Sequence, residues 1–247
     1  AIYFVIPAAT RRPVYSHFLS MLGFWMLFFL YPMNGTHHYV FSVIPMSAQI
    51  GAVTASALLG VNVILVVTNL LLSARGSGWI QKDLPLRFAV TGTLLYVLVS
   101  VQGSLQALMP INQAIHFSDW VVAHAHLAML GFASFAAAGG MMHAWQRIPG
   151  ARYNATALAW GYWLILAGLL TMVGHLTAAG LIEAGIWNTT RPWLDSVREV
   201  KSLWLVREIS FVPITAGFVA ILIAMTTGPQ TSEAASRAGT ARLAASG

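Results

Sequence analysis

An all-α bundle of transmembrane helices is the fold class that this sequence predicts, on three observations. Hydrophobic residues fill 57% of the 247 positions and charged residues only 8%, against about 25% charged in a soluble domain. Mean hydropathy is +0.71. The apolar residues are gathered into six stretches, most of them close to the roughly 20 residues that a helix needs to cross a bilayer. Thirteen basic and seven acidic side chains cannot cover a soluble globule of 26.7 kDa, so membrane lipid is the expected partner of much of the surface. This composition excludes a soluble enzyme. The lack of cysteine excludes a disulfide-built secreted domain and any cysteine-ligated zinc or iron–sulfur site. The formal net charge of +6 does not point to nucleic acid, because the basic residues sit between apolar stretches, where they set membrane orientation.

The spans are read at 17–33, 47–73, 86–108, 120–145, 156–184 and 203–226. The first is short and reaches Pro32, so its far end is expected to be irregular. Residues 1–7 read as the last turns of another apolar helix, and nothing there resembles a signal peptide. The chain is therefore expected to be the C-terminal portion of a longer membrane protein, or one half of a split one. Residues 1–227 form the expected transmembrane domain. Residues 228–247, rich in Ala, Ser, Thr and Gly, are an expected disordered polar tail. With alternating spans, Arg11, Arg12, Arg75, Lys82, Arg87, Arg147, Arg152, Arg237 and Arg242 share one side; Arg191, Arg198, Lys201 and Arg207 share the other. Nine against four predicts that the first side is cytoplasmic.

Ionisable groups at membrane depth are costly to keep there, which draws attention to the eight histidines. The same topology brings the end of the first span, with His37 and His38, and the start of the fourth, with His124 and His126, to one face of the bilayer. His124 and His126 are turned about 200° apart on an α-helix, so they cannot share one metal. Each can serve as an axial ligand to a different haem on either side of the helix, or each can be a core histidine bonded to carbonyls or water. His37 and His38, about 100° apart on a helix, can share one ion only where the helix loosens, and Pro32, Asn34 and Gly35 supply that irregularity. Imidazole suits copper, iron or zinc, with a third ligand required. The other reading is an interfacial pair facing water. Tyr31, nearly two turns deeper, is either an interface anchor or a phenol beside a redox metal. Ser118 or Asp119 is an expected helix cap. His116, Asp119 and Arg207 lie on the face where haem carboxylates would sit. His17 and His143 read as interfacial, and His175 as a polar contact between helices.

Residues 25–39, WMLFFLYPMNGTHHY, and the preceding RPVYS at 12–16 resemble the copper-site helix of haem-copper oxygen reductases. The resemblance is strongest to the catalytic subunit of cbb3-type cytochrome c oxidases. Residues 116–131, HFSDWVVAHAHLAMLG, resemble the haem-ligand helix of that family. The similarity runs through nearly all the spans but covers only the C-terminal half of the family's subunit. It implies that His37 and His38 are two of three copper ligands. It further implies that His124 holds a high-spin haem and His126 a low-spin haem b. Tyr31 stands at the redox-active tyrosine, and Tyr15, Ser16 and Ser20 on the stretch lining the single proton channel. The implied activity is reduction of O2 to water with electrons from a c-type cytochrome subunit and uptake of protons. The implied setting is a bacterial inner membrane, with the metal site toward the periplasm. The third copper ligand and the second axial ligand of the low-spin haem belong to the remaining N-terminal half or a partner chain. Two positions depart from the pattern: Gln102 replaces a glutamate usual near the site, and His17 replaces a tyrosine near the proton entrance. Competing expectations are a nitric oxide reductase with non-haem iron, which lacks a tyrosine at the Tyr31 position, and a non-catalytic membrane scaffold.

Overall fold

The computed structural model describes residues 2–78 and 83–228, and contains no strand among them. The expected tail, Gly228 excepted, lies outside the described residues, as do Lys82, Arg237 and Arg242. Six helices are long and apolar enough to cross a membrane, in the order the hydropathy pattern predicts.

A short apolar helix, α1 (Ile2–Thr10), opens the chain. Ser16 caps α2 (His17–Asn34) by accepting the Leu19 amide on its Oγ at 3.2 Å. Pro32 removes the amide that would bond the Phe28 carbonyl, yet α2 runs two residues past it. The backbone then tightens into a 3-10 turn, Gly35–Tyr39, so the expected irregularity falls on the histidine pair itself. α3 (Met46–Ala74) returns across the bundle. α4 (Leu84–Ala107) is capped by Asp83, whose Oδ1 accepts the Leu86 amide at 2.9 Å. A short helix, α5 (Met109–Ile115), precedes α6 (Asp119–His126), which widens into a π-helical segment (Leu127–Ala133) and continues as α7 (Ser134–Trp145). α8 (Ala155–Trp187) and α9 (Trp193–Thr226) complete the set. α9 begins ten residues ahead of the apolar stretch at 203. Its first turns carry Asp195, Arg198 and Glu199, which fail a hydropathy test but pair locally: Arg191 with Asp195 at 3.5 Å, and Arg198 with Asp195 at 3.4 Å.

The spans pack in chain order: α2 on α3, α3 on α4, α4 on α7, α6 on α8, and α8 on α9. The main core lies where α4, α6, α7, α8 and α9 meet, around Phe88, Phe135, Tyr162, Leu169 and Met172. A second cluster joins α1, α3 and α4 through Ile6, Leu70 and Leu86. In contrast, α2 buries only Gly23 and leaves Phe18, Phe24, Phe28 and Phe29 exposed. His143, expected at an interface, is 4% exposed because α1 lies over it, with Phe4 edge-on to its ring.

Glycine sets the closest crossing between α4 and α7. A Cβ on Gly139 would lie 2.7 Å from the Ala89 amide nitrogen and 2.8 Å from the Pro85 carbonyl oxygen, backbone atoms that cannot turn aside. Gly139→Val should therefore destabilise the bundle by about 3 kcal/mol, the upper range for overpacking. Gly174 has nothing within 4 Å of its Cβ position, and Gly174→Ala should be neutral or stabilising by up to about 1 kcal/mol. Denaturant titration in detergent measures both, and equal effects of the two would contradict this packing.

Candidate functional site

One end of the bundle carries the loops with Arg11, Arg12, Arg75 and Arg147, and with them His17 and His143; the other carries His37, His38, His124 and His126. At the latter end, His37 from the 3-10 turn and His124 from α6 line one cavity of about 320 Å³, together with Tyr31, Ser56, Tyr96 and Gly103. The tight turn stacks His37 against His38, with ring centroids 4.3 Å apart and planes at 42°. His37 is buried and His38 exposed.

The hydrogen bonds assign the ring nitrogens. Ser56 Oγ lies 2.8 Å from Nδ1 of His37, from the Ala52 carbonyl oxygen and from Asn34 Oδ1. The latter two can only accept, so the serine proton is used there. His37 Nδ1 then donates to Ser56, which leaves Nε2 as the nitrogen available to a ligand. His126 Nδ1 lies 2.8 Å from the Val122 carbonyl oxygen, must donate to it, and likewise leaves Nε2 free. His124 Nδ1 is buried without a partner among the described residues. Gly103 makes room for its ring: a Cβ there would lie 2.8 Å from His124 Cε1. Just beyond the pair, Phe41 adopts φ +65, a region where a bulky side chain is strained. The Gln49 carboxamide holds that loop, accepting the Phe41 amide at 2.8 Å and donating to the Ile44 carbonyl at 2.9 Å.

His116 donates Nδ1–H to Asn112 Oδ1 at 2.7 Å, and Asn112 in turn donates to the Gln106 carbonyl. Ser118 caps α6 on the Trp120 amide at 3.3 Å. The Asp119 carboxylate is taken by Trp204, whose Nε1 donates at 2.5 Å. Arg207 pairs with Glu208 and not with Asp119. His175 turns back on the Thr171 carbonyl of its own helix at 2.8 Å, its one side-chain hydrogen bond among the described residues.

At the arginine-rich end, Tyr15, Ser16 and Ser20 meet α3. Asn69, fully buried, accepts the Ser16 amide at 2.8 Å. It donates to the Ser16 carbonyl and to Ser20 Oγ, each at 2.9 Å. Ser73 Oγ accepts the Tyr15 amide at 2.9 Å. One face of α2 carries Ser16, Ser20, Gly23, Leu27 and Tyr31, and faces Asn62, Asn69 and Ser73 of α3. Asn62 Oδ1 is buried and unpaired among the described residues. It lies 3.3 Å from the Cβ position of Gly23. Sequence reading missed Asn62, Asn69, Ser73 and Ser56. The signal for the first three was available: polar residues at i, i+7 and i+11 fall on one face of an otherwise apolar helix.

The donor set suits a redox-metal cofactor: available nitrogens on His37 and His126, an unpaired one on His124, and a shared cavity. Among the described residues no three His, Asp or Glu side chains gather into one metal-binding group, so any copper held by His37 and His38 needs a ligand from elsewhere.

Residues 1–213 match the family described as Cytochrome C and Quinol oxidase polypeptide I. The chain is 25% identical over 226 residues to the cytochrome c oxidase subunit 1 homolog of Azorhizobium caulinodans, covering 87% of this chain and 41% of that protein. It is 24% identical over 227 residues to the Cbb3-type cytochrome c oxidase subunit CcoN1 of Stutzerimonas stutzeri, covering 88% of this chain and 48% of that protein. The chain thus spans less than half the length of these relatives. A cryo-EM structure of a heme-copper terminal oxidase dimer shares the fold, with TM-score 0.75 at 14% identity. It matches over 88% of this chain and 43% of its own.

Ser56 orients His37 through a single hydrogen bond, and loss of such an outer contact typically weakens a metal site 10–100-fold. Ser56→Ala in the assembled protein should therefore lower metal retention by roughly that range, read as metal content after dialysis against a chelator. Retention equal to wild type would contradict the orienting role.

Proposed function

The chain belongs to the cytochrome c and quinol oxidase polypeptide I family, and on that premise we propose that it is the histidine-bearing half of the catalytic subunit of a bacterial terminal oxidase. The observation that carries the proposal is the convergence of His37 and His124, from separate spans, on one cavity. His37 and His38 would hold copper, His124 a high-spin haem and His126 a low-spin haem b. The remaining ligands would come from the N-terminal half or a partner chain. The haem–copper pair supplies reduction of O2 to water with electrons from a c-type cytochrome. The subunit would sit in the inner membrane with the arginine-rich loops in the cytoplasm and the histidines toward the periplasm, as the charge bias favours.

The chain's own residues orient, exclude water and carry protons. The bonds from His37 to Ser56 and from His126 to the Val122 carbonyl hold both rings with Nε2 presented. Tyr31 lines the cavity, where its phenol can yield a proton. Protons would enter from the cytoplasmic end through Tyr15, Ser16, Ser20, Ser73 and Asn69. A water on the unpaired Asn62 Oδ1 is the natural link toward Tyr31. Of the three residues placed near haem carboxylates, His116 is the best candidate. Its Nε2 is free, whereas Asp119 is engaged by Trp204 and Arg207 by Glu208.

Reduced-minus-oxidised spectra and metal analysis of the assembled protein test this reading. Wild type should show b-type haem and copper with O2 turnover. His124→Ala should lose the high-spin haem and keep the low-spin one. Iron in place of copper with turnover of NO alone would assign a nitric oxide reductase instead, and a protein without haem would be a scaffold.

Asn69→Leu conserves size and removes the hydrogen bonds that join Ser16 and Ser20. Turnover should fall by about a hundredfold, a typical worth for a positioned proton carrier, with both haem spectra unchanged. Full turnover in that variant would move the proton route elsewhere.

A further inference from the structure

Glu183 is the only charged residue in the 33-residue apolar helix α8. It is 5% exposed. A buried carboxylate is costly unless its charge is met by hydrogen bonds. Its Oε2 accepts the backbone amide of Asp119 at 2.7 Å. That amide belongs to the first turn of α6 and has no acceptor within its own helix. The charge also lies at the positive end of the helix dipole. Close by, α6 and α8 touch where Gly180 meets Trp120: a Cβ on Gly180 would overlap the Trp120 backbone. From the other side, Trp204 of α9 donates to the Asp119 carboxylate at 2.5 Å. The first turn of α6 is thus fixed to α8 and α9 by two hydrogen bonds and a backbone contact.

Beyond His126 the regular helix stops. The π-helical segment Leu127–Ala133 follows, with Ser134 Oγ bonded to the Met129 carbonyl at 2.8 Å. A wider turn interrupts the 3.6-residue register between α6 and α7, so the rotation of α6 rests on its own contacts: Ala123, buried in the main core, and the fixed first turn. An imidazole Nε2 lies roughly 6–7 Å from its helix axis, so a turn of about 20° would displace it by about 2 Å.

We propose that Glu183 is a positioning residue, whose hydrogen bond to the Asp119 amide sets the rotation of α6 and so aims His124 and His126 to opposite sides. The inference rests on the reading of these two histidines as axial ligands.

Three variants of the complete oxidase complex test it: Glu183→Gln, Glu183→Asp and Glu183→Ala. Haem content is measured together with the optical and EPR signals of the low-spin haem and the rate of electron transfer between the haems after flash photolysis of CO. Glutamine keeps an acceptor at the same reach and should match wild type. Aspartate retracts the acceptor by one methylene and alanine removes it. Both should keep two haems per chain, shift the low-spin signals and slow interhaem transfer about tenfold, near the upper worth of a single uncharged hydrogen bond. Should alanine fail to assemble, the aspartate comparison alone decides. Wild-type signals and rates in the aspartate variant overturn the inference, and so does a glutamine variant as impaired as alanine or aspartate. A wild-type complex lacking b-type haem overturns the axial-ligand reading itself, and this inference with it.

Discussion

Two side chains separated by one residue on an α-helix are turned about 200° from each other, and the site depends on that angle. In α6 it sends His124 into the cavity shared with His37 and turns His126 elsewhere, its Nδ1 bonded to the Val122 carbonyl. Under the proposed function, one helix would then serve two cofactors, one on each side. A spacing of three or four residues would have put both imidazoles on one face. Histidine at this depth is expensive unless its nitrogens are engaged, and the free Nε2 atoms are consistent with engagement by groups from outside the chain.

The angle matters only if α6 is held still, and its surroundings are built to hold it. Six regular residues, 121–126, lie between the contacts at Asp119 and Trp120 and the π-helical segment after His126. The opposing partner, His37, is positioned differently. Its helix tightens into a 3-10 turn after Pro32, Ser56 from α3 fixes the ring, and Gln49 holds the strained loop that follows. The exposed aromatic face of α2 stands beside this site.

The number and order of the spans were legible because lipid imposes a composition that a window of about 20 residues detects. Span parity placed His37 and His124 at one end of the bundle, where they line one cavity. What stayed hidden depends on contacts between helices. The Ser56–His37 bond joins residues 19 apart and leaves no local signal. The π-helical segment depends on how α7 packs, and the sequence LAMLGFA reads as an ordinary apolar helix. The early start of α9 was masked by charged residues whose pairing holds its first turn. Asp119 and Arg207 were expected on the face of the haem carboxylates, but neighbours invisible in the hydropathy pattern engage them: Trp204 and Glu208. Glu183 was plain in the sequence as a lone charge in an apolar helix, a pattern that signals function at membrane depth.

A density map of the assembled complex at a resolution that shows ring planes tests the central claim most directly. The expected map has a porphyrin on each side of α6, with iron bonded to Nε2 of His124 on one side and Nε2 of His126 on the other. A map in which either imidazole meets only lipid, carbonyl or water, or in which both face one group, would contradict the account.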